Sequence, residues 1–553
     1  MENQTERRKF LNNIFFNNQE ANKLEQTPSL MNDFVGFEVD RSNLINNLEL
    51  EDKPLNYQHA KHLLTRLTFG PNKSEIDNLI GKKPSEAVEL LLGDGLDYLS
   101  QNKNRLKDAS KDLNWLDTIE ENPQSVTLEL QNQIEGRHKN RYGQFLYWWM
   151  YGMGTENVTN KPTVEKLAFF WHTHWCVSFA YDNEDYIPPP LIFRNYDILR
   201  KYRLGNFKDF VIQMTLDGAY LLYQSLNLSH KDSPNENYMR ELLELFTMGI
   251  ENYSEGDIRE GARTLTGWRV TAHIGDRKPY GNFETYFDRD AHDIGSKIIM
   301  GEKINSRDAA DNSIDKVKKE EVEGLINILF NRRPMPIAEF ICEKIFKFFV
   351  YSNPKEVDRL IISEMAKVFI DSNFELKPVF VKLFTSKYFY QIENIGVQIK
   401  TPPELILGLR KTGNSDFNGL NEALNNLEQK LYSPPNVGGW NGYRAWISTV
   451  TYPFRVNYCN QVVNGIKNNE LIKLAQSIDN YTNFEQYVAG MNNLFLPLEA
   501  SEERLGQFRT FLVKKMSFSA TEWSNKIQDT NFLANATKEF LFYIIKLPDF
   551  QLC

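Results

Sequence analysis

This chain of 553 residues has few cysteines, no net positive charge and no long apolar run. Its four cysteines are widely spaced and include no Cys-x-x-Cys pair, which disfavours disulfide frameworks, zinc knuckles and c-type haem attachment. The net charge of −9 argues against a nucleic-acid partner, because such a partner needs a basic surface that displaces counterions. No apolar run reaches the roughly 20 residues of a transmembrane span. The composition is that of an ordinary globular protein, with 41% hydrophobic and 25% charged residues.

The first 50 residues are polar and rich in asparagine. They begin with a degenerate twin-arginine-like pattern, in which Arg7 and Arg8 precede Phe10. The apolar segment and the small-residue cleavage site of an export signal are both missing. We therefore expect residues 1–50 to form a poorly ordered leader that stays attached to a cytoplasmic protein. Location in the periplasm or the cell envelope is the alternative.

Apolar residues recur at three- and four-residue spacing along most of the remaining chain, which is the period of an α-helix. Strand-forming segments are few, and "WRVTAHIG" and "GNFETYFD" predict one hairpin. The predicted fold is mainly α, a multi-helix globular array with at most one or two short β-hairpins. We assign residues 51–400 to a helical core that carries histidine, glutamate and aspartate motifs. Residues 401–553 are assigned to a C-terminal helical region with a Gly/Trp-rich loop.

One segment, "SPNENYMRELLELFTMGI" (233–250), predicts a helix with an acidic face. Ser233 is the expected N-cap and Gly249 the expected stop. The polar face has no lysine and holds Glu236, Asn237, Arg240, Glu241 and Glu244. It is either a solvated face with an intrahelical ion pair or a site where glutamates do acid–base work beside Arg240. A second capped helix over 254–268 follows at once, so we expect a helix hairpin.

The segment "FWHTHW" supplies His172 and His174. A His-x-His pair on a strand could share one metal ion. The flanking apolar pattern predicts a helix instead, on which the two rings point about 200° apart. His174 lies nearer the apolar stripe and is expected to be a hydrogen-bonded core residue. For His172, a structural role and a role as metal ligand both stay open.

The segment "FDRDAHDIGSK" is an acidic loop that contains one histidine. Asp288 and Asp290 offer carboxylate oxygens to a hard divalent cation, and the alternative is a turn in which they bind backbone amides. His292 beside Asp293 makes an acid–base couple in which the carboxylate orients the ring. Lys297 is a candidate contact for an anionic substrate group, or else a partner of Asp293.

The segment "PPNVGGWNGYRAW" (434–446) is rich in glycine and aromatic residues, and it lacks the lysine of a phosphate-binding loop. Trp440 and Arg444 suit a substrate-binding role by stacking on a sugar ring. Capping of an adjoining core is the alternative. The chain shows no Gly-x-Ser-x-Gly motif and no cysteine with a clear histidine partner, so covalent acyl transfer is disfavoured.

The segments occur in an order that resembles a known family. The motifs are "HLLTRLTFGPNKSEI", "KLAFFWHTHWCVS", "NENYMRELLELFTMGIENYSEGDIREGARTLTGW", "FDRDAHDIGSKIIMG", "SPPNVGGWNGYRAWIS" and "FLFYIIKLPDFQL". Together they resemble DUF1800, a large bacterial family of unknown function, in one domain over about residues 55–552. The resemblance implies a mostly helical protein with no settled activity. It also implies a partner, because such proteins are often encoded beside DUF1501 proteins, which are similar to sulfatases.

Two functions follow from these patterns. The first is an enzyme, a hydrolase or a lyase, whose acid–base residues are Glu241, Glu244 and His292. In it Asp293 orients His292, and Arg240 holds an anion. A divalent metal is optional, and its three candidate ligands are His172, Asp288 and Asp290. The second function is a non-catalytic binding or assembly module of a cell-envelope or polysaccharide system. An open pocket where these groups converge favours the enzyme, whereas a closed and fully paired network favours the module.

Overall fold

The computed structural model describes residues 41, 43–93, 128–154, 161–179, 187–270, 285–308, 313–413 and 419–553. Helices make up 64% of the structure. In the described ranges the sheets are two short antiparallel pairs. The predicted mainly α fold with at most two hairpins is therefore confirmed.

The helices are short and follow one another closely along the chain. The first fifteen are α1 (Tyr57–Leu67), α2 (Lys73–Leu79), α3 (Pro84–Leu92), α4 (Leu128–Gly154), α5 (Lys161–His174), α6 (Pro189–Tyr202), α7 (Phe207–Thr215), α8 (Gly218–Tyr223), α9 (Glu236–Glu241), α10 (Glu255–Thr264), α11 (Ile314–Val317), α12 (Glu323–Arg332), α13 (Pro334–Phe349), α14 (Glu356–Asp371) and α15 (Leu376–Phe384). The remainder are α16 (Pro402–Gly413), α17 (Leu420–Asn426), α18 (Thr451–Gly465), α19 (Asn468–Gln476), α20 (Phe484–Phe495), α21 (Glu502–Met516), α22 (Trp523–Lys526) and α23 (Thr530–Ile544).

The four strands form two hairpins between α10 and α11. They are β1 (Trp268–Val270), β2 (Thr285–Phe287), β3 (Lys297–Ile299) and β4 (Glu302–Ile304). The predicted hairpin is the β1–β2 pair, in which Trp268 faces Phe287. The rest of the two segments that predicted it, residues 271–284, lies outside the described residues. The β3–β4 pair was not predicted, because its strands of three residues are too short to show a period of two.

Helix α13 illustrates why this sequence is helical. Proline stands at its first position, where the missing N–H costs no hydrogen bond. Its buried residues repeat every three or four positions, at Ile337, Ala338, Ile341, Cys342, Ile345, Phe346 and Phe349. This apolar stripe packs against α14, which in turn packs against α15. The helical spacing of the sequence thus produces three packed helices in this region.

The buried apolar side chains form one cluster that includes residues from Leu44 to Phe550, on both sides of residue 400. Part of the predicted leader belongs to it. Leu48 is buried, and Leu50 makes a β-bridge with Ser386. Residues 1–40 and 42 lie outside the described residues. Among the helices of the described ranges, none combines the length and the apolar character that crossing a membrane requires.

Candidate functional site

The two histidines of "FWHTHW" both lie on α5 and have different neighbours. His174 is buried, and its Nε2 donates a hydrogen bond to the Phe246 carbonyl oxygen at 3.1 Å. Burial and the nearby Lys344 ammonium hold the pKa of His174 well below its ordinary value, so the ring is neutral. The predicted role as a hydrogen-bonded core histidine is confirmed.

His172 is fully buried, and burial lowers its pKa to about 3. Its Nε2 accepts a hydrogen bond from the Tyr432 backbone N–H at 3.1 Å. Because that amide can only donate, the ring proton lies on Nδ1. The lone pair of Nε2, which a metal would need, is therefore occupied by the backbone of the loop after α17.

The three predicted metal ligands do not come together in one site. Asp288 Oδ1 accepts the Asp290 backbone N–H at 3.1 Å, which is the turn chemistry of the alternative. The Asp290 side chain is 88% exposed and lies 3.5 Å from Arg289. Within the described ranges, no three side chains of histidine, cysteine, aspartate or glutamate are grouped to hold a metal ion. The metal site built from His172, Asp288 and Asp290 is thus a wrong prediction.

The Gly/Trp-rich loop packs on the C-terminal end of α5, and Gly439 makes this possible. Gly439 has a φ of +83°, and a Cβ added there would lie 2.8 Å from both the Thr173 carbonyl oxygen and the Cys176 Sγ. The Trp440 ring lies 5.5 Å from the His172 ring. Arg444 is exposed and lies 5.5 Å from the Tyr443 ring, so the loop combines a tryptophan that packs on His172 with an arginine on its outer surface.

We expect Gly439→Ala to destabilise the protein by about 2–4 kcal/mol, because it adds a backbone clash to a positive φ. The measurement is the urea midpoint. Gly438→Ala is the matched control: its new Cβ would meet the movable Asn436 amide oxygen at 3.2 Å, so its cost should stay below about 1 kcal/mol. Equal midpoints for the two variants would contradict this account of the loop.

A buried carboxyl group lies next to Tyr432, and the sequence did not single it out. The Tyr432 hydroxyl donates to Asn195 Oδ1 at 3.3 Å, and Asn195 Nδ2 donates to Asp217 Oδ2 at 2.9 Å. Asp217 also caps α8 by accepting the Tyr220 backbone N–H at 3.1 Å. Burial raises the pKa of Asp217 to about 6, although these hydrogen bonds oppose the change.

The raised pKa of Asp217 predicts a pH dependence of stability. The folded chain holds the Asp217 proton more tightly than the unfolded chain, so this group favours folding below pH 4 and loses that contribution as the pH rises to 6. The loss amounts to about 3 kcal/mol. Asp217→Asn should remove this fall from the curve of unfolding free energy between pH 4 and 6. Asp209→Asn, on the exposed first turn of α7, should leave the wild-type curve unchanged.

The acidic helix begins later than predicted, because Asn235 rather than Ser233 is its N-cap. The Asn235 side chain accepts a first-turn N–H at 2.9 Å and donates to the Gln224 carbonyl oxygen at 2.9 Å. After Glu241 the backbone widens into a π-helix over Leu242–Thr247. Such segments are frequent at functional sites. The predicted stop at Gly249 is confirmed, since its φ is +75°.

Arg240 and Glu244 both bind residues of the segment that leads into α10. Arg240 makes a two-bond pair with Glu255 at 2.8 and 2.9 Å and lies 3.9 Å from Glu244. Glu244 accepts a hydrogen bond from the Tyr253 hydroxyl. The side chains of Arg240 and Glu244 are 37% and 26% exposed. The predicted helix hairpin of α9 and α10 is confirmed, and its packing accounts for both residues.

Glu241 is directed toward α8. Its Oε1 accepts the Asn237 amide at 2.9 Å, whereas its Oε2 is buried without a hydrogen-bond partner among the described residues. The same holds for two polar atoms near it, the Tyr220 hydroxyl and the Gln224 amide nitrogen. The Gln224 amide faces Glu241 without reaching hydrogen-bond geometry. We call Tyr220, Gln224 and Glu241 the α8–α9 site, because buried unpartnered polar atoms mark a place for water or a ligand.

Charge and neighbours in the α8–α9 site suit proton transfer. Burial raises the pKa of Glu241, while the Asn237 and Gln224 amides partly offset the effect. Burial also raises the pKa of the Tyr220 hydroxyl far above its ordinary value, so this group stays a hydrogen-bond donor. The Tyr220 ring lies 5.6 Å from Trp175, and the Cys176 thiol is also close to it. The end of α5, α8, α9 and the Gly/Trp-rich loop therefore meet around Tyr220.

His292 lies in a different and closed group of charges. Its Nε2 is 3.0 Å from Glu321 Oε1, Lys297 Nζ donates to Glu321 Oε2 at 2.6 Å, and Arg307 Nε is 3.5 Å from Oε1. The four side chains are at most 3% exposed. We call them the Glu321 cluster. Lys297, predicted to contact a substrate anion, is instead fully buried against Glu321, and burial lowers its pKa.

Backbone groups, not Asp293, orient the His292 ring. Its Nδ1 donates to the Thr266 carbonyl oxygen at 2.8 Å, so a single hydrogen lies between Nε2 and the Glu321 carboxylate. Asp293 binds Arg263 at 2.7 and 3.2 Å, and the hydrogen bonds of the described residues do not join its carboxylate to the ring. The predicted His292–Asp293 couple is therefore wrong.

The acidic helix and the Glu321 cluster do not meet. Arg240 binds Glu255 at the start of α10, whereas Asp293 binds Arg263 near its end, roughly 12 Å along the helix axis. No hydrogen bond or ion pair of the described residues joins Glu241 to His292 or His172. The expected approach of the acidic face to one of the two histidines therefore stays a prediction.

Sequence reasoning missed Tyr220, Gln224, Asp217 and Glu321. Tyr220 and Gln224 are four residues apart, which places them on one side of α8, but a short apolar segment gives no sign that this side holds polar atoms. Glu321 stands in the charged run "KVKKEEVEG", where a buried carboxylate cannot be told from its solvated neighbours. Each of these residues is recognised as part of a site only by its neighbours in space, which come from distant segments of the chain.

No curated protein and no solved structure matches this chain. A family model described as "Protein of unknown function (DUF1800)" matches residues 62–552, which is nearly the whole chain and includes the α8–α9 site and the Glu321 cluster. The family model and the order of the motifs agree, and the protein belongs to the DUF1800 family.

Proposed function

We propose that the protein is an acid–base enzyme, a hydrolase or a lyase, that works at the α8–α9 site. One observation carries the proposal: a carboxylate oxygen of Glu241, the Tyr220 hydroxyl and the Gln224 amide nitrogen are buried close together, and none of them makes a hydrogen bond of good geometry among the described residues. Leaving such atoms unsatisfied costs about 1–3 kcal/mol each, and a bound polar ligand recovers that cost. A purely structural glutamate would be paired, as Glu321 is.

The chemistry assigned to each group follows from its charge. Glu241, with its raised pKa, takes a proton from a water molecule or from the substrate and returns it to the leaving group. The neutral Tyr220 hydroxyl and the Gln224 amide donate hydrogen bonds to the oxygen that gains negative charge. Glu244 and Arg240, on the α10 side of the helix, support the helix hairpin.

The test is a comparison of Glu241→Gln with Glu236→Gln on the same helix. Glu236 is exposed, and its carboxylate takes no part in the α8–α9 site. Wild type is first assayed on nitrophenyl esters, phosphates, sulfates and glycosides. On the substrate that reacts, Glu241→Gln should lose about 100-fold in kcat/KM with an unchanged urea midpoint, and Glu236→Gln should keep wild-type values. Full activity of Glu241→Gln, or no turnover of any class by wild type, would contradict the proposal.

A second candidate is an assembly module that binds a DUF1501 protein, a partner implied by the family resemblance. The closed Glu321 cluster favours it, since a fully paired network is what a structural role requires. The test is size-exclusion chromatography of the two purified proteins. A stable complex, together with no turnover by wild type or by Glu241→Gln, would favour the assembly module over the enzyme.

A further inference from the structure

A cavity of about 70 Å³ lies between α1, α16 and α20 and is also lined by Phe550. Its volume is several times the roughly 10–15 Å³ that one water molecule needs. Two lysines and one histidine line it: Lys61, His62 and Lys400. None of them belongs to the α8–α9 site or to the Glu321 cluster, so the inference below is independent of the proposed function.

Both amines in the cavity bind backbone oxygens and keep further N–H groups. Lys61 Nζ donates to the Asn493 carbonyl oxygen at 2.5 Å and also to that of Leu496. Lys400 Nζ donates to the Phe550 carbonyl oxygen at 2.7 Å and lies 4.2 Å from the centre of the Phe550 ring. An ammonium has three N–H groups, so one on Lys61 and two on Lys400 are left over.

The carboxylate that lines this cavity, Glu404, is already neutralised. It pairs with Lys166 and accepts the Thr401 backbone N–H at 2.6 Å. Two buried guanidinium groups stand nearby, and Arg66 Nε and Arg455 Nη1 have no hydrogen-bond partner among the described residues. The basic side chains in and beside the cavity therefore outnumber the acidic side chains that line it.

Burial lowers the pKa values of both amines, and for Lys61 the charge of the Lys400 amine is a second cause. Burial and the Lys400 amine together lower the pKa of Lys61 to about 7, while the Glu499 carboxylate opposes both effects. Burial likewise lowers the pKa of Lys400 to about 8. Two like charges that repel each other across a cavity are the arrangement that an anion between them would stabilise.

His62 adds a second kind of group to the cavity. Its ring packs on Phe389 at 4.5 Å, it is 3% exposed, and its Nε2 has no partner among the described residues. Burial and the Arg66 charge hold its pKa well below the ordinary value, so the ring is neutral, and a backbone hydrogen bond to Phe389 uses the other nitrogen. Nε2 thus offers a lone pair to a donor.

We propose that this cavity binds a small oxyanion that also carries an O–H group, such as hydrogen phosphate or a short hydroxycarboxylate. The anionic oxygens receive the free N–H groups of Lys61 and Lys400, and the O–H group donates to His62 Nε2. An anion without an O–H group leaves His62 Nε2 without a hydrogen-bond donor, and a neutral ligand leaves the charges of the two amines without a counter-charge. A ligand that has both a negative charge and an O–H group meets both requirements.

The experiment is calorimetric titration of the full chain at pH 6.5, which is below the lowered pKa values of both amines, with inorganic phosphate in one arm and glycolate in the other. Sodium chloride is held at constant ionic strength. Lys400→Gln keeps one donor for the Phe550 carbonyl oxygen and removes the charge. Lys344→Gln is the matched control, since Lys344 is also largely buried, has a pKa lowered to about 8 and donates to a backbone oxygen outside the cavity.

Saturable binding is expected for wild type and for Lys344→Gln with the same Kd, and at least tenfold weaker binding for Lys400→Gln. A preference for phosphate or for glycolate identifies which of the two anions the cavity accepts, and either result supports the proposal. His62→Gln, which alters the acceptor and not the charge, should weaken binding as well. If neither anion binds wild type saturably, or if Lys400→Gln and His62→Gln both keep the wild-type Kd, the cavity is not an oxyanion site.

Discussion

Glu321→Gln is expected to lower the free energy of unfolding by about 3–5 kcal/mol. The substitution keeps the shape of the side chain and removes the one negative charge that faces Lys297 and Arg307 in a fully buried place. Lys297 would then stay in the core without a counter-charge, and Arg307 would keep its pair with the half-exposed Glu320 but lose the buried one. The hydrogen shared with His292 Nε2 would lose its carboxylate. Urea unfolding followed by circular dichroism measures the loss.

Two comparisons make the Glu321 result specific. Glu320 precedes it, is half exposed and pairs with Arg307 at 2.8 Å, so Glu320→Gln should cost less than about 1 kcal/mol. Adding Lys297→Met to Glu321→Gln should recover part of the loss, because it removes one stranded charge together with its partner. A cost below about 1 kcal/mol for Glu321→Gln would show that the cluster does not hold the β-hairpins to the helices.

The mainly α fold could be predicted because it depends on local patterns. The stripe of α13 repeats at helical spacing, and the predicted cap of α10 is a capping box, in which Ser254 accepts the Asp257 N–H. The turn after α10 is equally local, since Gly267 there has a φ of +87°. Each of these signals involves residues within a few positions of one another, so the sequence contains the whole interaction.

The candidate site could be predicted only in part, because its partners are distant in sequence. The acidic face was recognised, but Glu241 alone points into the protein, and the groups that meet it come from α8. A helical wheel assigns residues to faces by assuming a rotation of 100° per residue. This rotation does not apply in the π-helix that follows Glu241. The sequence predicted that His292 acts with the adjacent Asp293. In the structure the His292 Nε2 instead makes a hydrogen bond with Glu321, which lies 29 residues later in the chain.

The Glu321 cluster and the α8–α9 site differ in whether their buried polar atoms have hydrogen-bond partners. This difference distinguishes a structural role from a functional one. In the Glu321 cluster the carboxylate meets an imidazole, an ammonium and a guanidinium, and burial is complete. In the α8–α9 site a carboxylate oxygen, a hydroxyl and an amide are buried without partners. A closed network of this kind stabilises one conformation, while unsatisfied groups leave binding energy for a ligand.

Arg41→Met is expected to destabilise the fold about as strongly as Glu321→Gln, by about 3–5 kcal/mol. Arg41 lies in the segment predicted to be a polar leader, yet its side chain is buried and binds Asp358 with contacts of 2.8–3.0 Å. It also donates to Asn394 Oδ1 at 2.7 Å and to the Tyr388 hydroxyl at 2.8 Å. Methionine keeps the apolar stem and leaves Asp358 charged and buried at the start of α14.

Arg359→Met is the matched control for this prediction. Arg359 follows Asp358 on α14, and it pairs with Glu343 on the surface with more than half of its side chain exposed. Its loss should cost less than about 1 kcal/mol, because exposed ion pairs contribute little. If Arg41→Met unfolds at the same urea concentration as Arg359→Met, residue 41 does not anchor the chain to the helical body. A midpoint several tenths of a molar lower for Arg41→Met means that the segment before α1 is part of the folded domain, held by one buried ion pair.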